Sequence, residues 1–165
     1  MQKVKPLPDK WRHAVFFLIG VLIVTADQLS KLWIRNSIPE GQSLFRLGFF
    51  QITHVQNTGA AFGLFRDQTF ALTIIAIVAA AVILVYAFIS FRHLAWLDTM
   101  WSRVALGLVL GGTVGNLIDR LRFGSVTDFI DFGYWPAFNV ADSAVTVGVI
   151  MFAVTLFRLA QSEKA

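Results

Sequence analysis

Four of the chain's ten acidic residues, Asp119, Asp128, Asp131 and Asp142, crowd into one stretch between two long apolar segments. Fifteen uncharged residues separate Arg103 from Asp119, and another fifteen separate Asp142 from Arg158. A carboxylate at the edge of hydrocarbon is costly unless it is paired, protonated or facing water. Two of them brought together favour one kind of chemistry. Like charges in close contact cannot both ionise, so one keeps a proton and the pair titrates as a unit. The ionised member can take a proton from water while the protonated member hydrogen-bonds a substrate carbonyl. A peptide bond is then cut with neither metal nor covalent intermediate.

The competing chemistries lack their residues. There are no cysteines, so no thiol nucleophile, disulfide framework or cysteine metal site is available. Ser125 and Ser143 have only His54 as a histidine on their side of the chain's apolar spans, which leaves a serine triad unsupported. The HExxH pattern of zinc peptidases is absent. No second His, Asp or Glu lies at metal spacing around His54, which reads as a strand residue.

Four aspartates compete for two places. Asp142 lies inside an apolar segment, and Asp128 sits between apolar residues in VTDFI. Asp119 is followed at once by Arg120, which could neutralise it and make it a brace. Asp131 has the look of an exposed loop charge. The residues alone select Asp142 and leave the second role open between Asp128 and Asp119.

Helical elements must position these groups. Pro136 is placed to open a helix, because its missing N–H would be unpaired there anyway. Asn139, Asp142, Ser143 and Thr146 then share one face, with Asp142 about 9 Å below the entry point. Gly112, Gly115, Asn116 and Asp119 repeat the pattern on the preceding segment. For the two glycines, close helix packing is the better explanation.

Composition fixes the setting. Of 165 residues, 56% are hydrophobic and 15% charged, which suits a polytopic membrane protein and not a soluble one. The dispersed +4 charge marks topology, not nucleic acid. We read residues 1–165 as one membrane-embedded domain with spans near 11–33, 68–91, 103–119 and 137–158. Residues 36–67 form a small cap, in which Phe49–Val55 favours strand and Asn57 and Gly59 a tight turn. The basic start, the apolar run Ala14–Ala26 and its small-residue exit imitate a cleavable signal peptide. The apolar pattern resumes at Leu29, however, so a retained helix is expected, with Asp27 and Lys31 four apart on one face and able to pair.

Five blocks in order, DQLSK (Asp27–Lys31), NTGAAF (Asn57–Phe62), GNLIDR (Gly115–Arg120), VTDFIDF (Val126–Phe132) and PAFNVADSA (Pro136–Ala144), closely resemble the bacterial lipoprotein signal peptidases, signal peptidase II. The resemblance spans nearly the whole chain. It implies a four-helix membrane fold with a β-rich cap on the external surface that cradles substrate. It implies an aspartic endopeptidase that removes signal peptides from prolipoproteins just before a diacylglyceryl-modified cysteine. Asp128 and Asp142 match the family's catalytic pair. Asp27, Lys31, Asn57, Gly59, Asn116, Asp119, Arg120 and Asn139 match its supporting polar residues. No cofactor or metal is expected, and the partners are lipid-modified prolipoproteins and membrane lipid, without nucleic acid and with the protein acting as a monomer.

Basic residues support an orientation. Eight Lys and Arg fall on the side of both termini and six on the other, favouring cytoplasmic termini in the inner membrane and acids at the external face. An ion-coupled transporter also uses intramembrane carboxylates, but usually at mid-membrane and often in repeated halves, and no repeat is visible here. A non-enzymatic assembly protein would need neither Asp128 nor Asp142 beside the other.

Overall fold

The computed structural model describes residues 9–59, 68–93 and 99–162, with the side chains of residues 9–12, 90–93 and 162 left aside. The basic tail before Asp9, residues 60–67 with the Ala60–Phe62 end of the second block, residues 94–98 between the second and third spans, and the last three residues lie outside the described residues.

Four helices carry the apolar segments: α1 (Asp9–Ser37), α2 (Thr69–His93), α3 (Met100–Phe123) and α4 (Val140–Ser162). All four are long and apolar enough to cross a membrane. Three strands, β1 (Ser43–Leu47), β2 (Phe50–Asn57) and β3 (Val126–Asp131), form one antiparallel sheet in that order.

The helix at the centre is α3, and its small residues explain why. A Cβ on Gly107 would meet the Phe16 carbonyl oxygen at 2.8 Å, and one on Gly112 would collide with the Ala141 carbonyl oxygen. These glycines let α1 and α4 close on α3, where lipid offers no hydrophobic drive and contact must come from close packing. Phe16, Leu106, Leu110, Ala80 and Ala87 fill the space between α1, α2 and α3. Most of the remaining apolar surface of α1, α2 and α4 is exposed, as lipid-facing helices require. The ends of α3 are marked in the sequence. Thr99 accepts a hydrogen bond from the Ser102 N–H at 3.1 Å, and Gly124 closes the helix with φ 70°.

The sheet joins the chain's two polar regions. Ile34 and Ile38, at the end of α1, pack with Phe129 of β3. β1 is exposed throughout, so β2 and β3 carry the link to the helices.

Two expectations fail here. Asp131 is not an exposed loop charge but the half-buried last residue of strand β3. Nor does Pro136 open a helix. Phe138 instead bridges to Ile130, and α4 starts at Val140. Asp142 therefore stands in the first turn, at the helix mouth, not about two turns down.

Candidate active site

The site is built from the inside out, beginning with a buried cation. Lys31 is fully buried in α1 and lies 2.8 Å from Asp27 Oδ2 and 3.4 Å from Asp119 Oδ2. It also donates to Asn116 Oδ1 at 2.8 Å. An ammonium has three donors, and all three find oxygen. Breaking such a pair by removing one partner leaves a buried charge uncompensated, which is why each member matters to the others.

Asp27 reaches further. Its Oδ1 accepts the backbone N–H of Ala141 at 3.0 Å, so α1 holds one of the unpaired donors in the first turn of α4. Gly115 allows this, since a Cβ there would meet Asp27 Oδ2 at 2.6 Å. Asp119 holds the other wall. It accepts the Thr127 N–H at 3.1 Å and faces Arg35 at 3.6 Å. Its charge is balanced by Lys31 and Arg35 from α1, and the expected pairing with Arg120 is not its main contact. Arg120 turns to the cavity and donates to the Gly59 carbonyl at 3.4 Å.

Asparagines carry the network to the outer two carboxylates. Asn116 donates to Asp142 Oδ1 at 2.7 Å. Asn139 donates to Asp128 Oδ1 at 2.7 Å and to Asn116 Oδ1 at 3.1 Å. Asn57 donates to Asp128 Oδ2 at 2.9 Å, and its own Oδ1 accepts the Gly59 N–H at 2.9 Å. The turn at Asn57 and Gly59 thus aims a donor at Asp128.

Asp128 and Asp142 line the same cavity of about 620 Å³, together with Asn57, Asn116 and Arg120. Trp135, Phe138, Ser143 and Thr146 also line it. Burial, then the negative charge of Asp142, push the Asp128 carboxyl up to about 7, against the pull of the Asn57 and Asn139 hydrogen bonds and of Lys31. A carboxyl that keeps its proton near neutral pH beside a second carboxylate has the protonation needed for acid and base work. Among the described residues, no group of three or more His, Cys, Asp or Glu side chains converges as metal ligands would.

The nine polar side chains expected at the site meet in this region, together with Gly59. Asp131 does not; it accepts from Gln51 and from the Gly133 N–H at the far end of β3. Sequence reading missed Gln28, Arg35 and Thr127. Gln28 donates to Asp27 and Asp119 at 3.2 and 3.1 Å and ties the two buried acids together. Its place inside the DQLSK block was the available signal.

The profile of the signal peptidase II family matches residues 19–158. The chain belongs to that family. A lipoprotein signal peptidase of Dehalococcoides mccartyi (strain CBDB1) is 50% identical over 139 residues, covering 84% of this chain and 86% of the relative. One from Pseudomonas putida (strain KT2440) is 38% identical over 168 residues, covering 96% and 95%. A solved bacterial membrane enzyme, determined by the in meso method at 2.3 Å resolution, matches with a TM-score of 0.77 at 33% identity over 88% of each chain. As a member of the signal peptidase II family the protein is a multi-pass bacterial membrane peptidase.

Proposed function

We propose that this chain removes the signal peptide from prolipoproteins as an aspartic endopeptidase, cutting just before the diacylglyceryl-modified cysteine. Asp128 and Asp142 are the catalytic pair. The observation that carries the reading is their common cavity, with one asparagine, Asn139, bonded to both carboxylates.

In this account Asp142 is the ionised member and Asp128 carries the shared proton. Asp142 takes a proton from water as the water oxygen attacks the scissile carbonyl carbon. Asp128 hydrogen-bonds the carbonyl oxygen and protonates it as the tetrahedral diol forms. Collapse breaks the C–N bond, and the proton held by Asp142 passes to the leaving amine. The diol's proton returns to Asp128, so the pair ends with the single proton it began with. Asn57, Asn116 and Asn139 keep the two carboxyl groups oriented, and the cluster of Lys31, Asp27 and Asp119 holds Asn116, through it Asn139, and the helix end in place.

The site stands where α4 begins, at a membrane edge in this reading, which suits a substrate whose signal helix and lipid both remain in the bilayer. Termini in the cytoplasm place the cavity at the external face of the inner membrane. The decisive assay presents purified protein in detergent with a diacylglyceryl-modified precursor and its unmodified form. Release of a fragment beginning at the lipidated cysteine supports the assignment. Equal cleavage of the unmodified form contradicts the specificity, and cleavage of neither contradicts the activity.

A further inference from the structure

We propose that His54, acting through Gln56, is a positioning residue for Asp128. The inference rests on the reading of Asp128 as a catalytic carboxylate, and it concerns what holds that carboxylate in place.

The β2–β3 ladder changes register by one residue. Ile52 pairs with Ile130, but Val55 pairs with Asp128, so Thr53 and His54 together stand opposite Phe129. An extra residue of this kind switches which face the following side chains take. Beyond it, Gln56 pairs with Thr127 and Asn57 with Val126. Cross-strand partners share a face, and faces alternate along a strand. Asn57 therefore lies on the face of Asp128, to which it donates, while Gln56 lies on the face of Thr127. Without the extra residue, Asn57 would point away from the carboxylate.

His54 pins that irregularity. Its backbone N–H donates to the Gln42 carbonyl at 3.0 Å, and its carbonyl accepts from the Gly41 N–H at 2.8 Å. Its ring is buried, with Nδ1 2.7 Å from the Ile38 carbonyl oxygen. A carbonyl can only accept, so Nδ1 carries the proton and Nε2 is an acceptor. Gln56 Nε2 fills it at 2.9 Å and also donates to Thr127 Oγ1 at 3.3 Å, while Gln56 Oε1 accepts from Ser125 at 2.8 Å.

Thr127 is the point of delivery. It is fully buried, it precedes Asp128, and it takes further hydrogen bonds from Arg35 at 3.0 Å and to Asp119 at 3.1 Å. Thr127, behind the carboxylate, thus depends on the His54–Gln56 contact, while Asn57, across from it, depends on the register that the His54 backbone holds. His54, Gln56 and Thr127 do not line the cavity, so their effect is on geometry, not on substrate contact.

Two substitutions separate the ring's two nitrogens. His54→Asn keeps an N–H near the Nδ1 position for Ile38 and loses the acceptor for Gln56. His54→Gln places an acceptor near Nε2 and loses the tie to Ile38. Steady-state cleavage of a diacylglyceryl-modified precursor and melting in detergent are measured for both, for Gln56→Ala and for Asp128→Asn. His54→Asn and Gln56→Ala are expected to lower kcat about ten- to a hundredfold with KM within about twofold, at a melting temperature near that of the parent. His54→Gln is expected to melt lower yet recover most of the lost kcat. Unaltered kcat in both His54→Asn and Gln56→Ala, with Asp128→Asn inactive, overturns the positioning role alone. A kcat that follows melting temperature across all variants also overturns it. Normal turnover by Asp128→Asn removes the underlying reading and this one with it.

Discussion

Asn139 and Asp142 cap each other at the head of α4. The Asp142 N–H donates to Asn139 Oδ1 at 2.9 Å, and the Asn139 N–H donates to Asp142 Oδ2 at 3.2 Å. This is a reciprocal capping box, with an acid three residues after the cap. The same Asn139 side chain donates to Asp128, so the helix start and the second carboxylate share one anchor. Asp142 is therefore both helix cap and proposed base, and substitutions must respect the cap. Asparagine retains an acceptor for the Asn139 N–H, whereas alanine would forfeit about 1 kcal/mol of capping besides any chemistry.

Asp119 and Asp131 should respond in opposite ways. Asp119→Asn leaves Lys31 and Arg35 short of negative charge in a fully buried position, and we expect a loss of about 3–5 kcal/mol with activity lost alongside. Asp131→Asn keeps an acceptor for Gln51 or Gly133 and should change melting by no more than a few degrees. Detergent melting curves of the two proteins decide this, and equal stability would contradict the buried network.

The proton on Asp128 makes both stability and rate pH-dependent. Its folded value, about 7, lies above the ordinary 3.8, so the native state binds a proton that the unfolded chain releases between those values. The resulting stabilisation is fully present below about pH 4 and is lost as pH rises through about 7. The parent protein should therefore lose more melting temperature between pH 5 and 8 than Asp128→Asn does. Its turnover should also decline above about pH 7, as the shared proton leaves. Parallel melting profiles for the two proteins would contradict the assigned shift.

Gly112→Ala tests the contact between α3 and α4. The added methyl would collide with the backbone oxygen of Ala141 and meet Val145 Cγ2 at 2.8 Å. Separation of the helices should cost about 1–3 kcal/mol and, by moving Asn116 away from Asp142, should depress turnover. Gly20→Ala, whose methyl would find its nearest atom at 3.7 Å, should leave both almost unchanged.

Reporter fusions examine the orientation. Fusions after Arg46 and after Phe132 should report the external side, and those after His93 and Lys164 the cytoplasm. A cytoplasmic signal at Phe132 would put both carboxylates on the wrong face for a signal peptidase.

Long-range order was legible where one residue type carries one meaning. Uninterrupted apolar length marked the spans, and the four-residue spacing of Asp27 and Lys31 marked their contact at 2.8 Å. The partner of Asp119 was not legible. Arg120 is its neighbour in sequence, but successive helix residues point apart, and the charge is met instead by Lys31 and Arg35 from another helix. VTDFID carried too short a pattern to reveal a strand whose partner lies about seventy residues earlier. Pro136 misled because a proline suits the entry to a helix and an extended approach equally well. Thr127 gave no signal beyond its place in the VTDFIDF block, since its value lies in three partners brought from α1, β2 and α3.

Single-turnover cleavage of a diacylglyceryl-modified precursor by Asp128→Asn and by Asp142→Asn tests the catalytic pair most directly, with precursor binding measured on the same samples. Asparagine preserves size and hydrogen-bonding capacity but can neither act as general base nor hold the shared proton, so the loss belongs in turnover. Both proteins are expected to insert and to bind precursor as the parent does, and neither to release product above background. Near-normal turnover by Asp128→Asn, with the loss found in a folded Asp119→Asn, would move the second catalytic role to Asp119. Full activity in Asp142→Asn would contradict the aspartic mechanism itself.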